Sequence, residues 1–289
     1  MDETWTILKV IDWTIGYFKR KNIDQPRANA EVLLAFVLGV ERIQLYLNHD
    51  KPLAAHELAR YREAVQRRAA HEPTQYITQR QEFWSLEFEV NPSSLIPRPE
   101  TELLVESGLD YLGDRAGLVL DLCTGSGVIA VSLAHERPAL RVTATDRSLD
   151  AIALASKNAN RHHVENRILF AAMDLFNGFS PQMLFDLIIT NPPYISESQF
   201  RALSPEIVEH EPHMALWGGA PEGLAVINKI LRDAPKHLKP GGALIMEIGQ
   251  GQAELLGPML AELEFIDSIE FIKDYSGILR VLHLRTKDV

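Results

Sequence analysis

The chain of 289 residues can hold one domain of about 200 residues and a second, smaller one. Its hydrophobic fraction of 46% and charged fraction of 24% are those of an ordinary globular protein, and a single cysteine, Cys123, excludes a disulfide framework and a cysteine-rich zinc site. A formal net charge of −10 argues against a protein that grips bare nucleic acid by its phosphates.

The start, MDETWTILKVIDW, has no basic segment, no uninterrupted apolar core and no small-residue cleavage site, so no signal peptide is expected. No apolar run approaches the roughly 18–20 residues that span a bilayer. The expectation is a cytoplasmic chain with no membrane association and no metal site. From residue 1 to about 75 the pattern is helical. Leu33, Leu34, Val37 and Leu38 form an apolar face that Gly39 ends, and Leu58, Tyr61 and Val65 form another between Ala54 and Ala70. Pro26, Pro52 and Pro73 punctuate a bundle of about four helices. Arg60, Arg62, Arg67 and Arg68 form a basic run, read as the solvated face of a helix.

From Phe83 the period shortens. Phe83, Trp84, Leu86, Phe88 and Val90 predict two short strands, followed by an extended connector from Asn91 to Pro99. Pro99, Glu100, Thr101 and Glu102 then open a helix, with proline at the first position and carboxylates at the positive end of the dipole. Beyond about residue 116, the apolar runs LVLDLC, RVTATD, ILFAAMD, FDLIITN and GALIMEIG alternate with helix signals, which predicts a mostly parallel sheet covered on both faces. Two further strands, joined through Asp274 to Gly277, end the chain.

Open parallel sheets bind ligands at the carboxyl ends of their strands. Cys123, Thr124, Gly125, Ser126 and Gly127 close the first run and open a helix, where glycines admit a tight turn and the helix N-terminus offers free N–H donors. No Gly-Lys-Ser/Thr follows, and the spacing departs from Gly-x-Gly-x-x-Gly, so neither a Walker loop nor a dinucleotide turn fits. Asp146 ends the second run, where a carboxylate can accept from both hydroxyls of a ribose; the alternative is a helix cap. Asp174 ends the third, with Leu175 and Phe176 beside it, placed to accept from the exocyclic amine of adenine while an apolar neighbour covers the ring; the alternative is a simple chain turn.

The fourth run ends in Asn191-Pro192-Pro193-Tyr194. Two prolines stiffen the loop and remove two donors. The Asn191 side-chain oxygen and the Pro192 carbonyl make a pair of acceptors suited to a planar NH₂ group, with the Tyr194 ring packed on its flat face.

At these residues the sequence resembles the class I S-adenosylmethionine-dependent methyltransferases, and most closely the peptide chain release factor glutamine N5-methyltransferases. The likeness covers nearly the whole chain. It includes Pro73-Thr74-Gln75-Tyr76-Ile77, Glu82-Phe83, Leu95-Ile96-Pro97-Arg98-Pro99-Glu100-Thr101-Glu102, Glu211-Pro212, Gly218-Gly219, Gly223-Leu224 and Glu247-Ile248-Gly249. The Pro-Arg-Pro-Glu-Thr-Glu segment separates it from the similar enzymes acting on a ribosomal protein glutamine. Cys123 departs from the glycine usual in the family. The resemblance implies an α/β chain: a helical substrate-recognition domain over 1–78, a β-hairpin linker over 79–98 and a Rossmann-like seven-stranded methyltransferase domain over 99–289. It implies S-adenosyl-L-methionine as cofactor, held by Cys123 to Gly127, Asp146, Asp174, Leu175 and Asn191. Asn191, Pro192, Pro193 and Tyr194 would form the catalytic loop, and the substrate would be the glutamine of a release factor Gly-Gly-Gln loop, met by a monomer with no stable nucleic-acid partner. The rival readings are a glutamine N5-methyltransferase of a ribosomal protein, which is the nearest, then an adenine-N6 methyltransferase on nucleic acid and a non-catalytic binding module.

Overall fold

The computed structural model describes residues 4–219 and 221–288; the expected domain limits at residues 1 and 289 lie outside the described residues. The chain divides into two compact units, one of residues 1–80 with 204–210 and one of residues 81–203 with 211–289.

The first unit is helical. Its helices are Ile7–Arg20, Pro26–Leu38, Arg42–Leu47, Ala55–Ala69 and Thr74–Thr78, joined by Pro205–His210. That is more than the expected four, because the helices of six and five residues are too short to display a 3.6-residue period. Pro26 takes the first helical position and Gly39 ends the same helix in the left-handed region, as its place after the apolar face predicts. Phe18, Leu33, Leu34 and Leu45 fill the core, and the buried Tyr61 hydroxyl donates to the Ala30 carbonyl at 3.1 Å. Each such apolar side chain contributes about 1.5–3 kcal/mol when fully buried. The basic run is only partly a solvated face. Arg60, Arg62 and Arg67 are exposed, whereas Arg68 is buried and donates to Asn29 Oδ1 at 2.8 Å and to Glu206 Oε2 at 2.7 Å.

The second unit opens with a hairpin of β1 (Arg80–Phe83) and β2 (Leu86–Glu89). Its two-residue turn, Trp84-Ser85, has positive φ at both positions, the backbone twist that a tight hairpin needs. Phe83 and Phe88 are buried in the same core as the large sheet, and the Asn158 side chain bonds both main-chain groups of Glu89. The sheet comprises β3 (Gly117–Leu122), β4 (Leu140–Asp146), β5 (Ile168–Ala172), β6 (Phe185–Thr190), β7 (Leu238–Glu247), β8 (Ile266–Lys273) and β9 (Leu279–Thr286). Their order is β5-β4-β3-β6-β7-β9-β8; the first five pair in parallel and β9 runs antiparallel to both neighbours. Separate apolar clusters cover the two faces, which is why the central strands read as unbroken apolar runs.

This is the α/β, Rossmann-like seven-stranded arrangement expected. Connections leave β3 toward β4 on one side and reach β6 on the other, so the order reverses between β3 and β6. A crevice forms at such a reversal, outside the carboxyl ends of the strands.

Candidate functional site

Leu122 pairs with Thr190 at the ends of β3 and β6, so the loops beginning at Cys123 and Asn191 emerge side by side. Thr190 Oγ1 donates to the Leu122 carbonyl at 2.8 Å and locks the two strand ends together. A cavity of ≈ 510 Å³ lies there, within the range of small-molecule sites. Its wall includes Cys123, Thr124, Gly125, Ser126, Asp146, Asp174, Leu175, Asn191 and Pro193. Four strand ends separated widely in sequence, those of β3, β4, β5 and β6, therefore meet in one place.

The turn after β3 is held from beneath by Asp121, which is fully buried. Its Oδ2 accepts from the Thr124 hydroxyl at 2.6 Å and from the Ala130 N–H at 3.1 Å. Burial pushes this carboxyl up to about 7, while the hydrogen bonds from Thr124 and Ala130 pull the other way. Gly127 starts the helix Val128–Glu136 at φ 84°, and a Cβ there would lie 2.9 Å from Ala155 Cβ, so only glycine lets the two helices approach. Gly127 is thus a packing position behind the wall. Cys123 has φ 59°, the left-handed region, where a glycine would sit without strain. Its thiol is pushed up by burial and by the Asp146 and Asp121 carboxylates, which keeps it neutral. Leu175 also has positive φ, so two strained non-glycine residues stand on the same wall.

Asp146 ends β4 and reaches back to the turn. Its Oδ2 accepts from Gly125 N–H at 3.0 Å and its Oδ1 from Ser148 N–H at 2.9 Å. The cap of the helix Leu149–Arg161 is Ser148, whose hydroxyl accepts from Ala151 N–H at 3.2 Å. The capping alternative for Asp146 therefore falls away. A carboxylate offers about four acceptor positions, so this one retains capacity toward the cavity. Asp174 is exposed, with Leu175 half-buried and Phe176 buried beside it.

The loop after β6 is braced throughout. Gln252 Nε2 donates to the Tyr194 carbonyl at 3.0 Å and to the Glu222 carbonyl at 2.9 Å, and Gln252 Oε1 accepts from Gly249 N–H at 2.7 Å. Ile195 and Trp217 pair as a parallel bridge. A Cβ on Gly223 would come within 2.1 Å of the Tyr194 carbonyl oxygen, so glycine there is a condition of the close fit. Asn191 Nδ2 donates to Thr101 Oγ1 at 3.0 Å, and Thr101 donates to Glu247 Oε2 at 2.7 Å. Tyr194 donates to the other oxygen, Oε1, at 3.0 Å. Glu247 is buried, which raises its carboxyl above the ordinary range, and the Tyr194 hydroxyl is pushed up by burial and by that same carboxylate.

Of the four residues of the loop, Asn191 and Pro193 line the cavity, Pro192 is buried, and Tyr194 turns inward to Glu247. The Tyr194 hydroxyl is occupied in holding the loop. Thr101 and Glu247 carry no chemical signal in the sequence, since they lie 90 and 146 residues from their partners Asn191 and Thr101. Arg98 and Glu211 belong to the motifs that carry the resemblance, but nothing in the sequence pairs them. Arg98 pairs with the buried Glu211 carboxylate at 2.5 Å, and Ile96 N–H donates to its second oxygen at 3.1 Å, which fixes the extended connector beside the cavity.

Comparison with known proteins agrees with this geometry. The PrmC N-terminal domain family matches residues 9–78, and the methyltransferase small domain family matches residues 99–220. A release factor glutamine methyltransferase of Geobacter sulfurreducens is 46% identical over 280 residues, covering 97% of this chain and 96% of the relative. One of Salmonella typhimurium is 40% identical over 262 residues, covering 90% and 92%. Among solved structures, the catalytic domain of hMettl16 in complex with an RNA hairpin superposes with a TM-score of 0.57 at 18% identity, covering 78% of this chain and 82% of that one. The Thermus thermophilus 16S rRNA N2 G1207 methyltransferase, in complex with AdoMet and guanosine, gives 0.53 at 20% identity, covering 72% and 50%. At those identities the two structures share the fold with this chain.

Proposed function

The chain belongs to the release factor glutamine methyltransferase family, and from that membership and the site between β3 and β6 we propose that it methylates the side-chain amide nitrogen of the glutamine in a release factor Gly-Gly-Gln loop. The observation that carries the reading is the orientation of Asn191. Its NH₂ gives one N–H to Thr101 at 3.0 Å, which leaves Oδ1 as the acceptor open to a ligand.

The cavity suits S-adenosyl-L-methionine as methyl donor. It offers a carboxylate with spare acceptor capacity at Asp146, a further carboxylate at Asp174 beside the apolar Leu175, and the turn Cys123 to Gly127. In this reading Asp146 takes the ribose hydroxyls, Asp174 the adenine amine, and Leu175 one face of the ring, while Asn191 closes the site toward the substrate. When bound, the cofactor supplies a methyl group already activated by its sulfonium sulfur.

An amide nitrogen is a weak nucleophile because its lone pair is delocalised into the carbonyl, the resonance that also flattens a peptide bond. Asn191 Oδ1 and the Pro192 carbonyl each accept one hydrogen of the glutamine NH₂, which raises electron density on nitrogen and aims it into the cavity. The two prolines and the Gln252 brace keep these acceptors from relaxing, so the residues act by positioning and by prearranged dipoles. Pro193 shapes the wall, and Tyr194 holds the loop through Glu247. We assign recognition of the release factor to the helical region 1–78, with 79–98 as linker and 99–289 as the methyltransferase domain, working as a monomer that needs neither membrane nor nucleic acid. No described helix is long and apolar enough to cross a membrane.

The test is incubation with methyl-labelled S-adenosylmethionine and a bacterial release factor, beside a copy whose Gly-Gly-Gln glutamine is replaced. Label on the first and none on the second supports both reaction and residue. Equal label on both refutes the residue, and label only on ribosomal protein or nucleic acid refutes the substrate.

A further inference from the structure

The loop after β6 has a stiff backbone, but backbone stiffness alone leaves the asparagine amide free to present either end to the cavity. Rotation of the Asn191 amide by half a turn would exchange its oxygen for its NH₂, and a donor facing a substrate NH₂ would repel it. Something must choose between the two ends.

We propose that the buried Glu247 carboxylate is a positioning residue that sets the direction of every hydrogen bond from β7 to Asn191, and so keeps Asn191 Oδ1 turned toward the cavity. This rests on the reading of Asn191 as the acceptor of the substrate amide. An ionised carboxylate only accepts. Thr101, 2.7 Å from Oε2, must therefore spend its one proton on Glu247. The Thr101 oxygen then has only lone pairs to offer Asn191 at 3.0 Å, and the atom placed there must be the NH₂ donor. Tyr194 spends its proton on Oε1 in the same way, so both oxygens are occupied and the carboxylate cannot turn. One charge, 2% exposed, thereby dictates the orientation of an amide that it does not touch.

Burial raises the Glu247 carboxyl and Glu100 adds to that rise, while the hydrogen bonds from Thr101 and Tyr194 and the Arg280 charge act in the other direction and favour its ionised form. Arg280 is itself held by Asp274 at 3.2 Å, so its positive charge has a fixed seat. Glu247 does not itself line the cavity, and its action passes through Thr101, which does, and through Tyr194.

Glu247→Gln tests the idea, because the amide is nearly isosteric but carries a donor as well as an acceptor. Its NH₂ can donate to Thr101, the Thr101 proton is released toward Asn191, and the Asn191 amide is free to turn over. The expected result is a fall in kcat of about tenfold or more, the equivalent of one oriented hydrogen bond, with the dissociation constant for S-adenosylmethionine and the thermal midpoint close to wild type. Thr101→Val should lower kcat similarly and Thr101→Ser should restore it. The double variant Glu247→Gln/Thr101→Val should be no worse than the poorer single one, since the two act in series. The second readout needs no turnover. The Asn191 side-chain ¹H–¹⁵N cross-peaks, identified by their loss in Asn191→Ala, should form one hydrogen-bonded pair in the wild type and shift or broaden in Glu247→Gln. Unchanged cross-peaks in Glu247→Gln overturn the proposal, as does wild-type kcat in both Glu247→Gln and Thr101→Val. If the wild type labels no release factor, the functional reading fails on its own, and the amide spectrum still decides whether Glu247 orients Asn191.

Discussion

The turn after β3 and the loop after β6 sit side by side, and each is secured from behind by a buried carboxylate, yet the two carboxylates are satisfied differently. Asp121 places both of its hydrogen bonds on one oxygen and leaves Oδ1 buried without a partner among the described residues. Glu247 uses both oxygens, one for Thr101 and one for Tyr194. Asp121 secures main chain, directly at Ala130, and its position decides where backbone runs. Glu247 secures side chains, and its charge decides which way they point. A buried carboxylate can therefore serve as a fastener or as an orienter, and the difference lies in whether its partners have a second hydrogen bond to pass on.

The largest effect should come from crossing the two loops. Asn191→Ala removes the oriented acceptor and should lower kcat by on the order of 10²–10³ while leaving cofactor affinity within a small factor. Asp146→Ala should do the reverse and weaken S-adenosylmethionine by about 10–100-fold, the equivalent of hydrogen bonds to a charged group. Calorimetric titration beside single-turnover kinetics separates the two. Near-normal turnover in the first, or an unchanged dissociation constant in the second, would break the division between loops.

A smaller effect belongs to the unpartnered oxygen. The Asp121 carboxyl is raised from an ordinary 3.8 to about 7 in the folded state. A raised value means that the stabilisation is fully present below the ordinary range and is lost as pH climbs through the folded value. Between about pH 4 and 7 the wild type should therefore lose stability from this group, on the order of a few kcal/mol, and Asp121→Asn should not. Across that window the thermal midpoint of the wild type should fall relative to that of Asp121→Asn as pH rises, and parallel curves would show that Asp121 is not titrating there. The smallest effect concerns the turn itself. Cys123→Gly relieves a left-handed conformation and should stabilise the chain by up to about 1 kcal/mol, seen as a rise in the denaturant midpoint. A fall would mean that thiol packing outweighs the strain.

Much of the second unit was legible because its signals are local. Apolar runs mark strands, Gly125 and Gly127 mark a strand-to-helix turn, and two prolines mark a stiff loop. The expected strand ends fell at Leu122, Asp146, Ala172 and Thr190 or within a residue or two of them. The short helices Arg42–Leu47 and Thr74–Thr78 were missed because one turn of helix cannot show a repeat. Arg68 was misplaced on a solvated face because its partners, Asn29 and Glu206, are distant in the chain.

What the sequence by itself determined is the alternation of strands and helices and the set of residues at the strand ends, since both follow from hydrophobic period and turn chemistry within short windows. Only the tertiary structure decided that β3 and β6 are neighbours, which brings Cys123 and Asn191 to one cavity, and that Thr101 and Glu247 stand behind Asn191. The physical reason is that hydrogen-bond direction depends on which donors and acceptors meet in space, and the pairs that meet here are separated by 90 and 146 residues.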